Sequence, residues 1–466
     1  MQYARNSANT SFRQRYGCNV RPVADGLEKK WKREVMQMRL RHSLLVLVVL
    51  FVSSASQASE GRVIDATTHI GIPNATVTLG NRVMTTDGTG SFHFEEASET
   101  IMVRAPGYRA SRALAKDTAT SGITIPLTPF VPKALYLTVY GIGSKTLRGG
   151  ALALARGGQI NALVIDLKGD RGLIPYRTAV PLAQRSGARS LTTIRDLALL
   201  ASELHRAGIY AIARIVVFKD NLLAEARPDL AVKRSDGSLF RDREGLAWVD
   251  PFQAEVRNYN IEIAVEAAQA GFDEIQFDYV RFPDVSQKLR FAQAPTEEMR
   301  VQAIDRFLAE ARDRLVPYNV FLGVDIFGYV CWNTNDTGIG QQLEQIVKIV
   351  DYLSPMVYPS GYKYGIPGCQ EPISHPYEIV HDTLENARRR ANVSPKRFRP
   401  WLQAFRDYAF DHRAFGPSQV AEQIRAAEEF GTDGWMLWNP HNRYERLGLD
   451  MLHPRAKTAT VTGAGR

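Results

Sequence analysis

The chain lacks the residue patterns that announce metal, thiol or phosphate chemistry. It has three cysteines and nine histidines in 466 residues. Neither type falls at metal-ligand spacing, so no metal is expected. No Gly-x-Ser-x-Gly elbow occurs, which removes the esterase-type serine nucleophile. The stretch YGIGSKTLRGG (140–150) lacks the spacing of a dinucleotide loop, and no other cofactor signature is present. No repeat or low-complexity tract interrupts the chain. The longest apolar run, Leu44 to Val52, falls short of the roughly 20 residues that span a bilayer.

Nor is there a basic surface to match the net charge of +9. Residues 1–58 hold ten Lys/Arg against three Asp/Glu, a net of +7 that leaves +2 for the rest. The basicity therefore belongs to the leader, and nucleic acid is not an expected partner. Residues 38–59, MRLRHSLLVLVVLFVSSASQAS, read as a secretory signal: a short basic start, an apolar core, then small residues around Ser56-Gln57-Ala58. The expected start is Met36 or Met38, the expected location periplasmic or secreted, and no stable membrane span is expected after cleavage.

What is present divides into four parts: a leader (1–58), an all-β domain (59–130), a larger α/β domain (131–456) and a tail (457–466). In 60–128, short apolar runs alternate with turn signals such as Gly80-Asn81 and Asp87-Gly88, the spacing of a small β-sandwich. The pieces GRVIDA, IPNATVTL, TTDGTGSFHF and APGY resemble the carboxypeptidase regulatory-like domain, which implies an accessory module. His69 and His93 are read as surface residues.

Beyond the linker PFVPK (129–133), eight strand-like runs alternate with amphipathic segments. They lie at 134–139, 162–167, 210–217, 274–280, 320–327, 352–358, 399–405 and 434–439; the clearest helical segments are 192–207, 252–270, 298–315 and 417–430. Eight such units predict a (β/α)8 TIM barrel, with a doubly wound sheet as the alternative. Barrel sites lie at the C-terminal strand ends, and there the runs carry Asp166 and Lys168, Arg214, Gln276 and Asp278, Asp325, Tyr358, Trp401 and Gln403, and Trp438. Alternation puts Gln276 and Asp278 on one face, and Asp166 and Lys168 likewise. No Gly-rich phosphate loop follows the seventh or eighth run. Carboxylates beside aromatic rings are the equipment of glycoside cleavage.

The segments ALVIDLKGDRG, FDEIQFDYVRFP, GVDIFGYVCWNTNDTGIGQ and LSPMVYPSGY resemble a family of barrel proteins grouped as glycosyl hydrolases without an assigned function. That family is related at fold level to the α-amylase-like glycosidases, and the resemblance runs from residue 134 to about 453. It implies an exported glycoside hydrolase acting on a polysaccharide, with a non-catalytic glycan-binding envelope protein as the alternative. By analogy with related barrels, Asp278 is the nucleophile or base and Asp325 the acid. Asp278 could instead be a salt-bridge partner of Arg214 or Arg281, and Asp166 could orient substrate or replace Asp325. Lys168, Arg214, Lys219 and Arg281 either meet acidic or hydroxyl groups of sugar or neutralise the carboxylates. Tyr358, Trp401 and Trp438 are candidate stacking platforms, and Gln403 a substrate-binding residue. Cys331 and Cys369, after the fifth and sixth runs, are expected to form a disulfide.

Overall fold

The computed structural model describes residues 59–95, 100–114 and 122–449. The expected signal sequence, its start at Met36 or Met38, and the tail lie outside the described residues. Among those described, no helix is long and apolar enough to cross a membrane.

All eight expected barrel strands form: Lys133–Leu137, Ala162–Lys168, Tyr210–Val216, Glu274–Asp278, Phe321–Phe327, Tyr352–Met356, Trp401–Gln403 and Trp435–Trp438. They pair in parallel in sequence order, and the eighth closes on the first. The four expected helices appear as Leu197–Arg206, Ala254–Gln269, Glu297–Leu315 and Pro417–Phe430, joined by Lys145–Arg156 and Pro376–Ala391. Their ends follow local chemistry. Asp196 and Thr296 accept hydrogen bonds from Leu199 and Met299 backbone N–H groups, and Gly431 closes the helix from Pro417 in the left-handed region, at φ 86°. Apolar side chains on the outer faces of the strands, Leu163, Ile165, Ile275, Phe277 and Val324 among them, pack under the helices. A smaller cluster of Tyr136, Val164, Tyr210, Ile212, Phe321, Tyr352, Trp401 and Met436 fills the lumen.

Residues 59–127 form two sheets, one of Ser91–Phe94, Ser59–Asp65 and Ile123–Leu127, the other of Arg82–Thr85, Thr76–Leu79, Thr100–Arg104 and Ser111–Leu114. Pairing is antiparallel except between Ser59–Asp65 and Ile123–Leu127. Val63, Phe92 and Ile125 of one sheet share a core with Val77, Ile101 and Val103 of the other.

The sandwich and the barrel belong to one compact unit. Their contacts fall at the N-terminal ends of barrel strands. Arg104 Nε lies 3.2 Å from Asp351 Oδ2, Gly107 N donates to Asp433 Oδ2 at 3.1 Å, and Asn319 Nδ2 donates to the carbonyls of Val103 and Ser111 at 3.2 and 3.0 Å. Just inside that end, Arg399 bridges Glu274 and Asp433 with its guanidinium 3.9 Å from the Tyr352 ring. The bottom of the barrel is thus closed by paired charge and covered by the sandwich, and the top is left to the site.

Candidate active site

The fourth strand shows how the barrel distributes polarity. Glu274, Gln276 and Asp278 all face the lumen at successive heights. Glu274 joins the Arg399 network below, Gln276 donates to Ser354 Oγ at 3.1 Å midway, and Asp278 reaches the top. At the top, Arg214 of the third strand lies between two neighbours. Its Nη1 donates to Asp166 Oδ1 at 2.5 Å, its Nε to Asp278 Oδ2 at 3.1 Å, and its Nη2 also to Asp278. Tyr136 Oη donates to Asp166 Oδ2 at 2.6 Å. Asp278 Oδ1 takes the backbone N–H of Tyr279 at 2.5 Å, where Tyr279 adopts φ 50°. A bulky residue in the left-handed region is a strained arrangement, held here beside a buried carboxylate.

Asp325 of the fifth strand is fully buried. Its Oδ1 accepts from Trp401 Nε1 at 2.7 Å; its Oδ2 is 3.8 Å from Arg214 Nε and has no hydrogen-bond partner. Three buried carboxylates thus share one guanidinium. Burial, then the charge of Asp278, pushes the Asp325 carboxyl well above the usual range against the pull of Arg214. Burial likewise raises Asp166 to about 6, opposed by Arg214 and the Tyr136 hydroxyl.

Above this floor opens a cleft of about 820 Å³. Asp166, Arg214, Asp278, Tyr358, Trp401 and Trp438 line it. Tyr136 stacks on Trp438 at 3.9 Å between centroids, Trp401 meets Trp438 edge-on at 5.4 Å, and the Arg214 guanidinium lies 4.8 Å from the Trp438 ring centroid. Asp325 does not line the cleft; it lies behind Trp401 and Arg214.

Three other residues sit differently from the sequence expectation. Lys168 does not share the lumen face with Asp166. The register shifts after Arg214, so that Arg214 pairs with Asp166 but Ile215 pairs with Lys168. This bulge turns Lys168 toward the helices, where its Nζ bonds Val216 O (2.7 Å) and Asn260 Oδ1 (2.9 Å) and pairs with Asp220 at 2.8 Å. Gln403 is occupied by the loop after the sixth strand: its Oε1 accepts from Ser360 N at 3.0 Å and its Nε2 donates to Ser360 Oγ at 2.7 Å. Arg281 lies in an adjoining groove rather than the cleft. The expected disulfide is not formed. Cys331 and Cys369 are free, buried thiols, one packed in the main core and the other in a separate cluster with Tyr362, Ile366 and Ile379.

Sequence reasoning missed several cleft residues. Tyr136 was detectable as the aromatic among aliphatics in ALYLTV, on the face opposite Leu135 and Leu137. Arg243, Glu244 and Tyr408 come from loops, which carry no periodic signal. Among the described residues, no cluster of His, Cys, Asp and Glu could hold a metal ion.

A closed parallel barrel with an aromatic, carboxylate-floored cleft at its C-terminal mouth is a glycoside-hydrolase type of architecture. Residues 134–444 match the family described as "Putative glycosyl hydrolase domain", and the chain belongs to that family. A hypothetical protein from Ruminiclostridium thermocellum is 37% identical over 41% of this chain and 96% of its own, with a TM-score of 0.36. The PgaB (BpsB) glycoside hydrolase domain from Bordetella bronchiseptica is 15% identical over 67% of this chain and 95% of its own, at a TM-score of 0.50. A GH18 chitinase from Cycas revoluta is 11% identical over 69% and 97%, at 0.42. No curated protein matches the chain.

Proposed function

We propose that the chain is an exported hydrolase of polysaccharide glycosidic bonds, with Asp278 as base or nucleophile and Asp166 as acid. The observation that carries this reading is the Asp166–Arg214–Asp278 bridge buried on the floor of an aromatic cleft. A general acid must retain a proton near working pH and reach the leaving oxygen. Two features of Asp166 support that role: burial raises its carboxyl to about 6, and it lines the cleft. This moves the acid from Asp325, which related barrels favour, to Asp166. Asp325 becomes a positioning residue. Its carboxyl is pushed up by burial and by Asp278, and the hydrogen bonds of Arg214 go to the two carboxylates that face the substrate. Asp278, accepting from three N–H groups, has a fixed orientation toward the sugar's anomeric carbon, where positive charge develops in the transition state. Tyr358 and Trp438, half-buried at the cleft, offer apolar surface to sugar rings, while Trp401, at 1% exposure, backs them rather than forming the stacking platform expected of it. Export to the periplasm or beyond rests on the signal-like residues 38–59.

The test is reducing-end release from a panel of bacterial and plant polysaccharides by the wild type, Asp278→Asn and Asp166→Asn. The reading expects cleavage of at least one glycan by the wild type and loss in both variants with the fold retained. Glycan binding without turnover, unchanged in the variants, would replace it with a non-catalytic binding protein. N-terminal sequencing of the exported chain tests the leader, and a mature protein retaining residue 20 would overturn it.

A further inference from the structure

The cleft continues past Asp278 into a side groove. Tyr279 and Tyr408 line both, and a narrower passage between them is walled by Asp278, Tyr279, Arg281, Tyr358 and Tyr408. The groove encloses about 500 Å³ and is lined by Trp248 and Tyr279 together with Arg243, Arg281 and Lys363. These three cations differ from the others near the mouth. Lys168, Arg214 and Lys219 are buried and engaged by carboxylates, Lys219 by Glu244 at 2.8 Å and Asp242 at 3.4 Å. Arg243, Arg281 and Lys363 form no ion pair among the described residues.

Arg281 is the most organised of them. Its guanidinium lies 5.0 Å from the Trp248 centroid and 5.0 Å from that of Tyr279, and one Nη donates to Phe282 O at 3.1 Å. Two rings therefore fix a planar fork of which one N–H is used. Asp284 is the one carboxylate of the groove outside an ion pair among the described residues, and it is exposed. A chain that carries only +2 outside its first 58 residues has set three unpaired cations beside aromatic faces, next to its candidate catalytic carboxylates.

We propose that this groove binds the acidic units of an anionic polysaccharide, with Arg281 receiving the carboxylate, sulfate or phosphate of a sugar while its neighbour occupies the cleft. The proposal deepens the glycoside-hydrolase reading and rests on it for the role of the cleft. Its own content is the charge of the ligand.

Binding is measured by affinity electrophoresis and calorimetry with Asp278→Asn protein, in which turnover is expected to be about 10²–10⁴-fold slower. The probes are polygalacturonate as a carboxylate polymer, dextran sulfate as a sulfate polymer, a teichoic-acid-type phosphate polymer, and unsubstituted dextran as neutral control. The expected result is retention of at least one acidic polymer and not of dextran. Arg281→Gln should weaken it about 10- to 100-fold, as for a hydrogen-bonded charge. Lys363→Gln, exposed and without risk to folding, should weaken it about threefold and lower its salt dependence. Arg389→Gln, near the C-terminal end of the helix Pro376–Ala391 and not among the groove's lining residues, should change nothing. Which polymer is retained identifies the acidic group. Equal retention of dextran, no retention of any acidic polymer, or indifference to both groove substitutions would overturn the proposal. Cleavage confined to neutral glycans by the wild type would sink the groove and spare the hydrolase. Acidic polymers bound through the groove but never cleaved would do the reverse.

Discussion

At the scale of single residues, the site is governed by a shortage of positive charge. Asp166, Asp278 and Asp325 are all buried, and Arg214 is the cation they share. Replacing Asp278 with Asn should lower kcat by about 10²–10⁴-fold, the usual worth of positioned acid–base groups, with the circular dichroism spectrum unchanged. The pH dependence follows from Asp166. An acid with a carboxyl near 6 is active while protonated, so kcat/KM should fall as pH rises through about 6. In Asp166→Asn the residual rate should lose that basic limb. The same shift affects stability. The folded state holds the Asp166 proton more tightly than the unfolded chain, so its contribution is full below the ordinary value of 3.8 and is lost as pH rises through about 6. Urea midpoints measured from pH 4 to 7 should show that decline, flattened in Asp166→Asn.

At the scale of elements, one register shift separates what could be read in the sequence from what could not. Period-two alternation correctly put Gln276 and Asp278 in the lumen because the fourth strand is regular. The same rule failed for Lys168 because a bulge beside Arg214 reverses the alternation, and bulges leave no mark on an isolated strand. Lys168 is consequently a stability residue. Lys168→Met strands Asp220 and Asn260 without their cation and should cost about 3–5 kcal/mol in chemical denaturation, the penalty for breaking a buried pair. KM of the folded fraction should not change; a raised KM at unchanged stability would return Lys168 to the cleft. Gln403 teaches a related lesson. Its position on the seventh strand was legible, but its partners Ser360 and Phe405 lie in loops whose course the sequence does not encode periodically. The barrel itself was readable because eight apolar runs and the turns between them repeat one pattern. The side groove, built from loops, was not.

At the scale of the whole molecule, the sandwich and the barrel have complementary ends. Arg104–Asp351 and the two hydrogen bonds of Asn319 join the sandwich to the closed end of the barrel. Unfolding should therefore be a single transition. Asn319→Ala leaves two backbone carbonyls without their donor and should cost about 1–3 kcal/mol, separating a sandwich transition from a barrel transition in calorimetry. A second consequence concerns the molecules the mouth would hold. Its floor is short of positive charge, and the groove beside it holds three cations outside any ion pair among the described residues. A ligand that met both needs would be a zwitterion. An iminosugar, protonated at its ring nitrogen, would place its ammonium over Asp278; linked to a uronic acid, it would extend a carboxylate toward Arg281. Such a compound should outcompete either half alone, its two ends matched to the field of the site.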